Sequence, residues 1–192
     1  MKIGNTIIAL ALACGAALAA SQASAQAYLG GSIGQSDIDE QIATGLITGG
    51  SVDGTDTAFK IFGGYMFNRH FGLEAAYVDL GEASYSGNFG GLPVTGGRVE
   101  VSGMNISALG ALPIGERFSL FGKIGLFMWD AEASDTTGGI PFSAQEDGTD
   151  VSFGIGLGYQ FTRNLGVRAE WEMFTTDNAD SNLLSVGLLW RF

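Results

Sequence analysis

Acyl transfer or hydrolysis needs a base beside a hydroxyl or thiol, and this sequence offers little to build such a centre from. Its single histidine, His70, sits between Arg69 and Phe71 in a short polar stretch, and its single cysteine, Cys14, lies inside an apolar run near the start. No serine or carboxylate is singled out by its spacing, so no catalytic residue is expected. Asp37 and Asp39, followed by Glu40, open like a calcium loop but lack the rest of one. Neither a metal nor a cofactor is expected. The residues that do stand out are charges set among apolar and glycine neighbours: Lys60, Glu74, Lys123, Arg168, Glu170, Glu172 and Arg191. Four are basic and three acidic. Isolated charges in a confined space are costly, and pairing offsets the cost.

The elements that carry these charges repeat with a period of two. Leu165, Val167, Ala169, Trp171 and Met173 fall on one face of a strand, and Gly166, Arg168, Glu170 and Glu172 on the other. A helix would mix the two sets. Val151, Phe153, Ile155, Leu157, Tyr159 and Phe161 likewise oppose Ser152, Gly154, Gly156, Gly158 and Gln160. The same reading places strands near 28–36, 56–67, 71–80, 99–112, 118–130, 150–161, 165–174 and 182–192, which makes eight. Several reach the roughly 9–11 residues that a tilted membrane strand needs. Connections alternate in length. Those at 37–55, 81–98, 131–149 and 175–181 are longer, rich in Gly, Ser, Thr and Asp, and read as loops; those at 68–70, 113–117 and 162–164 are short.

Alternation alone does not decide which face meets lipid; side-chain size does. The polar row of residues 152–160 is small, as a narrow interior requires, whereas the apolar row is bulky and uncharged. Packed inside eight strands those bulky rows would overfill the space, while facing lipid they fit. The expected fold is therefore an all-β, eight-stranded antiparallel transmembrane β-barrel of up-and-down topology. Its edges close because an open edge in lipid leaves N–H and C=O groups unpaired. Tyr65, Phe67, Phe71, Tyr159, Phe161, Trp190 and Phe192 cluster at the short-turn end, as an aromatic girdle would. Counted from the short turns, the inward charges sort into two levels: Glu74, Arg168 and Arg191 near the turns, and Lys60, Lys123, Glu170 and Glu172 deeper.

Composition narrows the class further. The chain of 192 residues has a net charge of -11, which disfavours nucleic acid as a partner. Fifteen of its 20 acidic residues lie in or beside the long connections, while each short turn carries an arginine: Arg69, Arg117 and Arg163. An acidic outer rim of this kind is suited to contacts with lipopolysaccharide through divalent cations, without a defined site. Residues 1–25 have a basic start, an apolar stretch and small-residue sites at Ala23-Ser24-Ala25 and Ala25-Gln26-Ala27, the order of a secretory signal peptide. Cleavage after residue 25 or 27 leaves 26–192 as the barrel domain, with no cysteine.

The stretch Ala27-Tyr28-Leu29-Gly30-Gly31-Ser32-Ile33-Gly34 resembles the opening strand of small outer-membrane β-barrel proteins, the group related to the OmpA transmembrane domain and the opacity proteins. So do the hairpins running from Tyr65 through Asn68-Arg69-His70 to Glu74 and from Tyr159 through Thr162-Arg163-Asn164 to Glu170. The terminal Trp190-Arg191-Phe192 is similar to the aromatic signal that such proteins present to the barrel assembly machinery. The resemblance implies a bacterial outer-membrane location with both mature termini periplasmic, and a role in envelope integrity, adhesion or host contact through the long loops. It supplies no catalytic residues. A narrow porin and a lipid-modifying enzyme are the alternatives. Seven inward charges together with Phe121, Phe127 and Trp129 oppose the first, and the lone His70 opposes the second.

Overall fold

The computed structural model describes residues 26–40, 47–53, 55–89, 92–137, 140–175 and 179–192. The leader expected at 1–25 lies outside them. The elements are β1 (Gln26–Glu40), β2 (Ile47–Asp53), β3 (Thr55–Met66), β4 (Phe71–Phe89), β5 (Leu92–Ile114), β6 (Phe118–Thr137), β7 (Ile140–Gln160), β8 (Leu165–Thr175) and β9 (Ala179–Arg191). Eight of them run in the order β4-β3-β1-β9-β8-β7-β6-β5, and β5 pairs back with β4 to close the barrel. The pairings are antiparallel, and the seam between first and last strands runs from Tyr28↔Arg191 to Glu40↔Ala179. The ninth strand, β2, lies within the expected 37–55 loop and, among the described residues, pairs with the end of β4 at 84–89, away from the short turns.

Burial follows the period read from the sequence. On β9, Leu184, Val186, Leu188 and Trp190 are exposed, while Leu183, Ser185 and Leu189 are buried. On β8 the pattern alternates so that Arg168, Glu170, Glu172 and Phe174 point inward and Trp171 outward. Ile33 is 70% exposed and Leu184 62%, values that a water-soluble barrel would not sustain across a whole belt but that a lipid-facing one requires.

The short turns are built by their own side chains. The Asn68 side-chain oxygen accepts the N–H groups of His70 (2.8 Å) and Phe71 (2.9 Å). Thr162 Oγ1 accepts those of Asn164 (3.3 Å) and Leu165 (3.0 Å). In the turn at 115–117, Gly115 takes a φ of 69°, a left-handed conformation that glycine adopts without strain.

The long connections differ from expectation. Residues 81–98 and 131–149 are mostly strand, since β4 continues to Phe89, β5 starts at Leu92, β6 runs to Thr137 and β7 starts at Ile140. The physical reason is that both faces of these extensions lie outside the lipid. With water on either side, no apolar-polar contrast marks the strand, although the ladder of hydrogen bonds continues. β6 and β7 stay in register from Phe118↔Tyr159 to Thr137↔Ile140, whereas β4 shifts register between Asp79 and Glu82.

The inward glycines have a common purpose. Several face a ring on the neighbouring strand: Gly30 is paired with Phe62, Gly64 with Tyr28, Trp129 with Gly148, and Phe121 with Gly156. Each ring lies flat across the space a side chain would fill. A Cβ on Gly30 would stand 2.3 Å from the Phe62 ring and 2.4 Å from the Leu188 carbonyl oxygen. One residue on, the lipid-facing Gly31 would meet nothing nearer than a carbonyl oxygen at 3.6 Å. Gly30→Val should therefore destabilise the barrel by about 1–3 kcal/mol, the usual cost of overpacking, while Gly31→Val leaves it nearly unchanged. Urea unfolding of both variants in lipid vesicles checks this; equal midpoints would contradict the assigned faces.

Candidate functional site

The candidate site is the barrel interior. Six of the seven charges singled out in the sequence meet there in one buried cluster. β3 brings Lys60, β4 Glu74, β6 Lys123, and β8 brings Arg168, Glu170 and Glu172 from alternate positions of a single strand. Lys60 Nζ pairs with Glu170 and Glu172. Lys123 Nζ reaches three carboxylates: Glu172 at 2.6 Å, Glu170 at 3.0 Å and Glu74 at 3.1 Å. The Arg168 guanidinium donates through both terminal nitrogens to Glu74, at 2.5 and 3.1 Å, and lies 3.0 Å from Glu170. Tyr28 donates its hydroxyl to Glu74 at 2.8 Å. The six groups are three cations and three carboxylates, so the cluster carries no net charge. That balance is what allows full charges so little water.

Two expectations change here. The two separate levels merge into one network, because lysine and arginine side chains are long enough to bridge successive inward rows: Lys123 links Glu74 to Glu172, and Arg168 links Glu74 to Glu170. Arg191 makes no ion pair among the described residues and is only partly buried, at the chain end where Tyr28 lies opposite. Leaving it out turns an apparent excess of positive charge into an even count.

Apolar side chains fill the lumen around the charges. Among the charges themselves, Tyr28 and Phe62 meet edge to face with centroids 6.3 Å apart. The Arg168 guanidinium lies 3.4 Å over the Phe62 ring, which adds a cation–π contact to its ion pairs. Toward the long connections, Phe127 and Phe174 stack with centroids 4.6 Å apart among Ala58, Val78, Leu80 and Leu183, all buried. Of this second layer Phe127 was expected inside, and the alternation also puts Val78 on the face of Glu74 and Leu183 on that of Arg191. Val78, Leu80, Phe174 and Leu183 share the parity of inward charges on their own strands, a signal present in the sequence but masked by their apolar type.

Outside the membrane span, the lipid-facing side of β4 to β7 changes character. Above Leu126 and Met128 come the cross-strand row Asp79–Ser102–Asp130–Asp147 and then Glu82–Glu100–Glu132–Gln145. Like charges directly opposite repel. Here Arg98 Nε stands 3.2 Å from Glu82, and Gln145 donates its amide to Glu132. Asp56, at the outer end of β3, accepts the backbone N–H groups of Glu82 (2.7 Å) and Thr57 (2.6 Å). These bonds hold its carboxyl below the usual carboxylate range. Among the described residues no group of His, Cys, Asp and Glu is arranged to hold a metal ion. His70 lies in the turn at 67–70, exposed, with its ring Nδ1 3.1 Å from the Ala111 carbonyl oxygen and no nucleophile beside it among its recorded contacts.

A family model described as outer membrane protein beta-barrel domain matches residues 6–192. Outer membrane protein A of Salmonella typhi is 28% identical over 202 residues, covering 98% of this chain and 55% of that protein. Outer membrane protein A of Shigella flexneri is 27% identical, covering 98% and 56%. The chain thus spans about half the length of these curated relatives. Among solved structures, the attachment invasion locus protein Ail of Yersinia pestis superimposes with a TM-score of 0.62 at 18% identity, covering 88% of this chain and 100% of that one. Ail has also been solved with the heparin analogue sucrose octasulfate. The outer membrane protein OprG of Pseudomonas aeruginosa gives a TM-score of 0.59 at 12% identity, over 89% and 97% of the two chains. At these identities the likeness is one of fold.

The geometry of the cluster sets the effect of breaking it. Glu172→Ala leaves Lys60 and Lys123 with one carboxylate fewer, and an unpaired buried charge typically costs about 3–5 kcal/mol. Removing both partners in Lys60→Met with Glu172→Met should restore most of that stability, since the charge count is even again. Arg191→Gln should cost no more than about 0.5 kcal/mol. Unfolding midpoints of the three variants in detergent check the ranking; a Glu172→Ala midpoint equal to wild type would contradict a structural network.

Proposed function

Because the chain belongs to the outer membrane protein beta-barrel domain family, we propose that it serves as a sealed, non-enzymatic scaffold of the bacterial outer membrane that displays its long outer strands to the surroundings. The observation that carries this reading is the filled lumen: a neutral ionic cluster interleaved with Tyr28 and Phe62, with the buried Phe127–Phe174 pair on its side toward the long connections. The inward charges Lys60, Glu74, Lys123, Arg168, Glu170 and Glu172 hold the wall together rather than line a path. Water and ions crossing such a barrel would meet Phe127 and Phe174 as well as the ion pairs, and a dry apolar constriction blocks conduction by itself.

In this reading residues 1–25 are a secretory signal removed after residue 25 or 27, and 26–192 form the mature barrel. The mature termini and the short turns face the periplasm, and Trp190 and Phe192 serve as the C-terminal signal for the assembly machinery. Both side chains are exposed on the lipid face. The outer ends of β4 to β7 contact lipopolysaccharide at their base and ligands or host surfaces further out. Their carboxylate rows favour cationic groups, directly or through divalent cations, and oppose a polyanion of the heparin type.

Reconstitution into planar bilayers tests the seal. Wild-type protein and Glu172→Ala should both give no steady conductance, because the Phe127–Phe174 layer remains in the variant. Reproducible ohmic channels from the wild-type protein would overturn the scaffold reading in favour of a porin.

A further inference from the structure

The lipid-facing belt has a notch. Across β4 to β7, the outward row Phe71–Gly110–Gly122–Ile155 places two glycines side by side between two bulky walls. A Cβ on Gly110 would meet nothing within 4 Å, and one on Gly122 only the Gly154 carbonyl oxygen at 3.7 Å. These glycines do not make room for a neighbouring ring, as Gly30 and Gly64 do; the space over them is open. The groove measures about 470 Å³, with the paired Leu112 and Leu120 bounding it on the side of the 115–117 turn and His70 among its lining residues. Phe71, Leu112 and Ile155 are each at least half exposed, so its walls belong to the surface that meets lipid.

From this geometry we infer that the groove is a binding site for one acyl chain of a glycerophospholipid, with the lipid's phosphate at the turn that carries Arg69 and His70. The inference rests on the membrane reading of the belt. Within hydrocarbon a gap of this size cannot stay empty, since its lining would lose dispersion contacts on one side. A shallow groove floored by the backbone of Gly110 and Gly122 suits an unbranched chain. The charge at its mouth fits as well. His70 is anchored by its backbone oxygen accepting the Ala111 N–H at 2.6 Å, and Arg69 beside it supplies a cation at the level where phosphates lie. In the turn at 115–117, Glu116 is accompanied by Arg117, so the local charge does not turn negative.

Photolabelling tests the site with the mature protein in nanodiscs of phosphatidylethanolamine and phosphatidylglycerol doped with a phospholipid bearing a diazirine on one acyl chain. Labelling of residues 110–122 should exceed that of the open lipid face at 184–188 by about tenfold, an affinity difference of about 1.4 kcal/mol. Gly110→Leu with Gly122→Leu should erase the excess. These side chains enter open space, so the barrel should still fold, as labelling at 184–188 would report. A diacylglycerol carrying the same diazirine chain should show less excess, because it lacks the phosphate. Even labelling along the whole belt, or an excess that survives the leucines, would overturn the site. An equal excess with diacylglycerol would overturn the assigned headgroup contact. Absence of label at both segments would instead overturn the membrane reading itself. A dimer present in the wild type and lost in the double variant would assign the groove to a second copy and overturn the lipid as its occupant.

Discussion

An eight-stranded barrel encloses a space only wide enough for side chains, and filling it with side chains whose charges balance is the constraint on which the rest of this molecule depends. The wall must close, because lipid offers no partner to a free N–H or C=O. Once closed, it leaves an interior in which polar groups are expensive unless each finds a counterpart. Arg168 illustrates the solution. Its guanidinium is shared between Glu74 and Glu170 and rests on the Phe62 ring, and that ring in turn needs Gly30 opposite it to lie flat. A charge, an aromatic face and a missing side chain on three strands are thus one packing unit.

Stability then comes from the atoms that fill the lumen. The ionic cluster ties β3, β4, β6 and β8 across the interior, and the Phe127–Phe174 pair adds buried apolar packing. Excluding water strengthens each ion pair and also raises the cost of leaving any one charge without a partner. The arrangement therefore favours an even count of charges over a large one.

Much of this was legible in the sequence wherever one face of a strand meets lipid. On β8 and β9 the alternation of bulky apolar residues with small or charged ones assigned the two faces directly. It failed at residues 81–98 and 131–149, where strands continue into water and the contrast between faces disappears. β2 went unread for the same reason. The members of the ionic cluster could be picked out because a charge among glycines and aliphatics is conspicuous. Their merging into a single network could not, since it depends on how far Lys123 and Arg168 reach along the axis. Nor could the apolar layer: Val78, Leu80, Phe174 and Leu183 look like lipid-facing residues by type and are assigned inward only by parity. The open space over Gly110 and Gly122 had no sequence signature at all, because inward and outward glycines look alike in a chain with 31 of them.

The seam joins the two ends of the barrel. The N–H of Phe192 donates to the Ala27 carbonyl at 3.0 Å, and β1 pairs with β9 from Tyr28↔Arg191 outward. No cylinder exists until β9 has been brought back to β1, so the barrel cannot close piecemeal. Closing so long a loop is entropically slow compared with forming adjacent hairpins. Until then, one side of β1 offers unpaired backbone groups to any strand nearby, a window of vulnerability to aggregation. Folding of this protein is therefore a race between completing the circle and mispairing, with the outcome resting on how soon β9 meets β1.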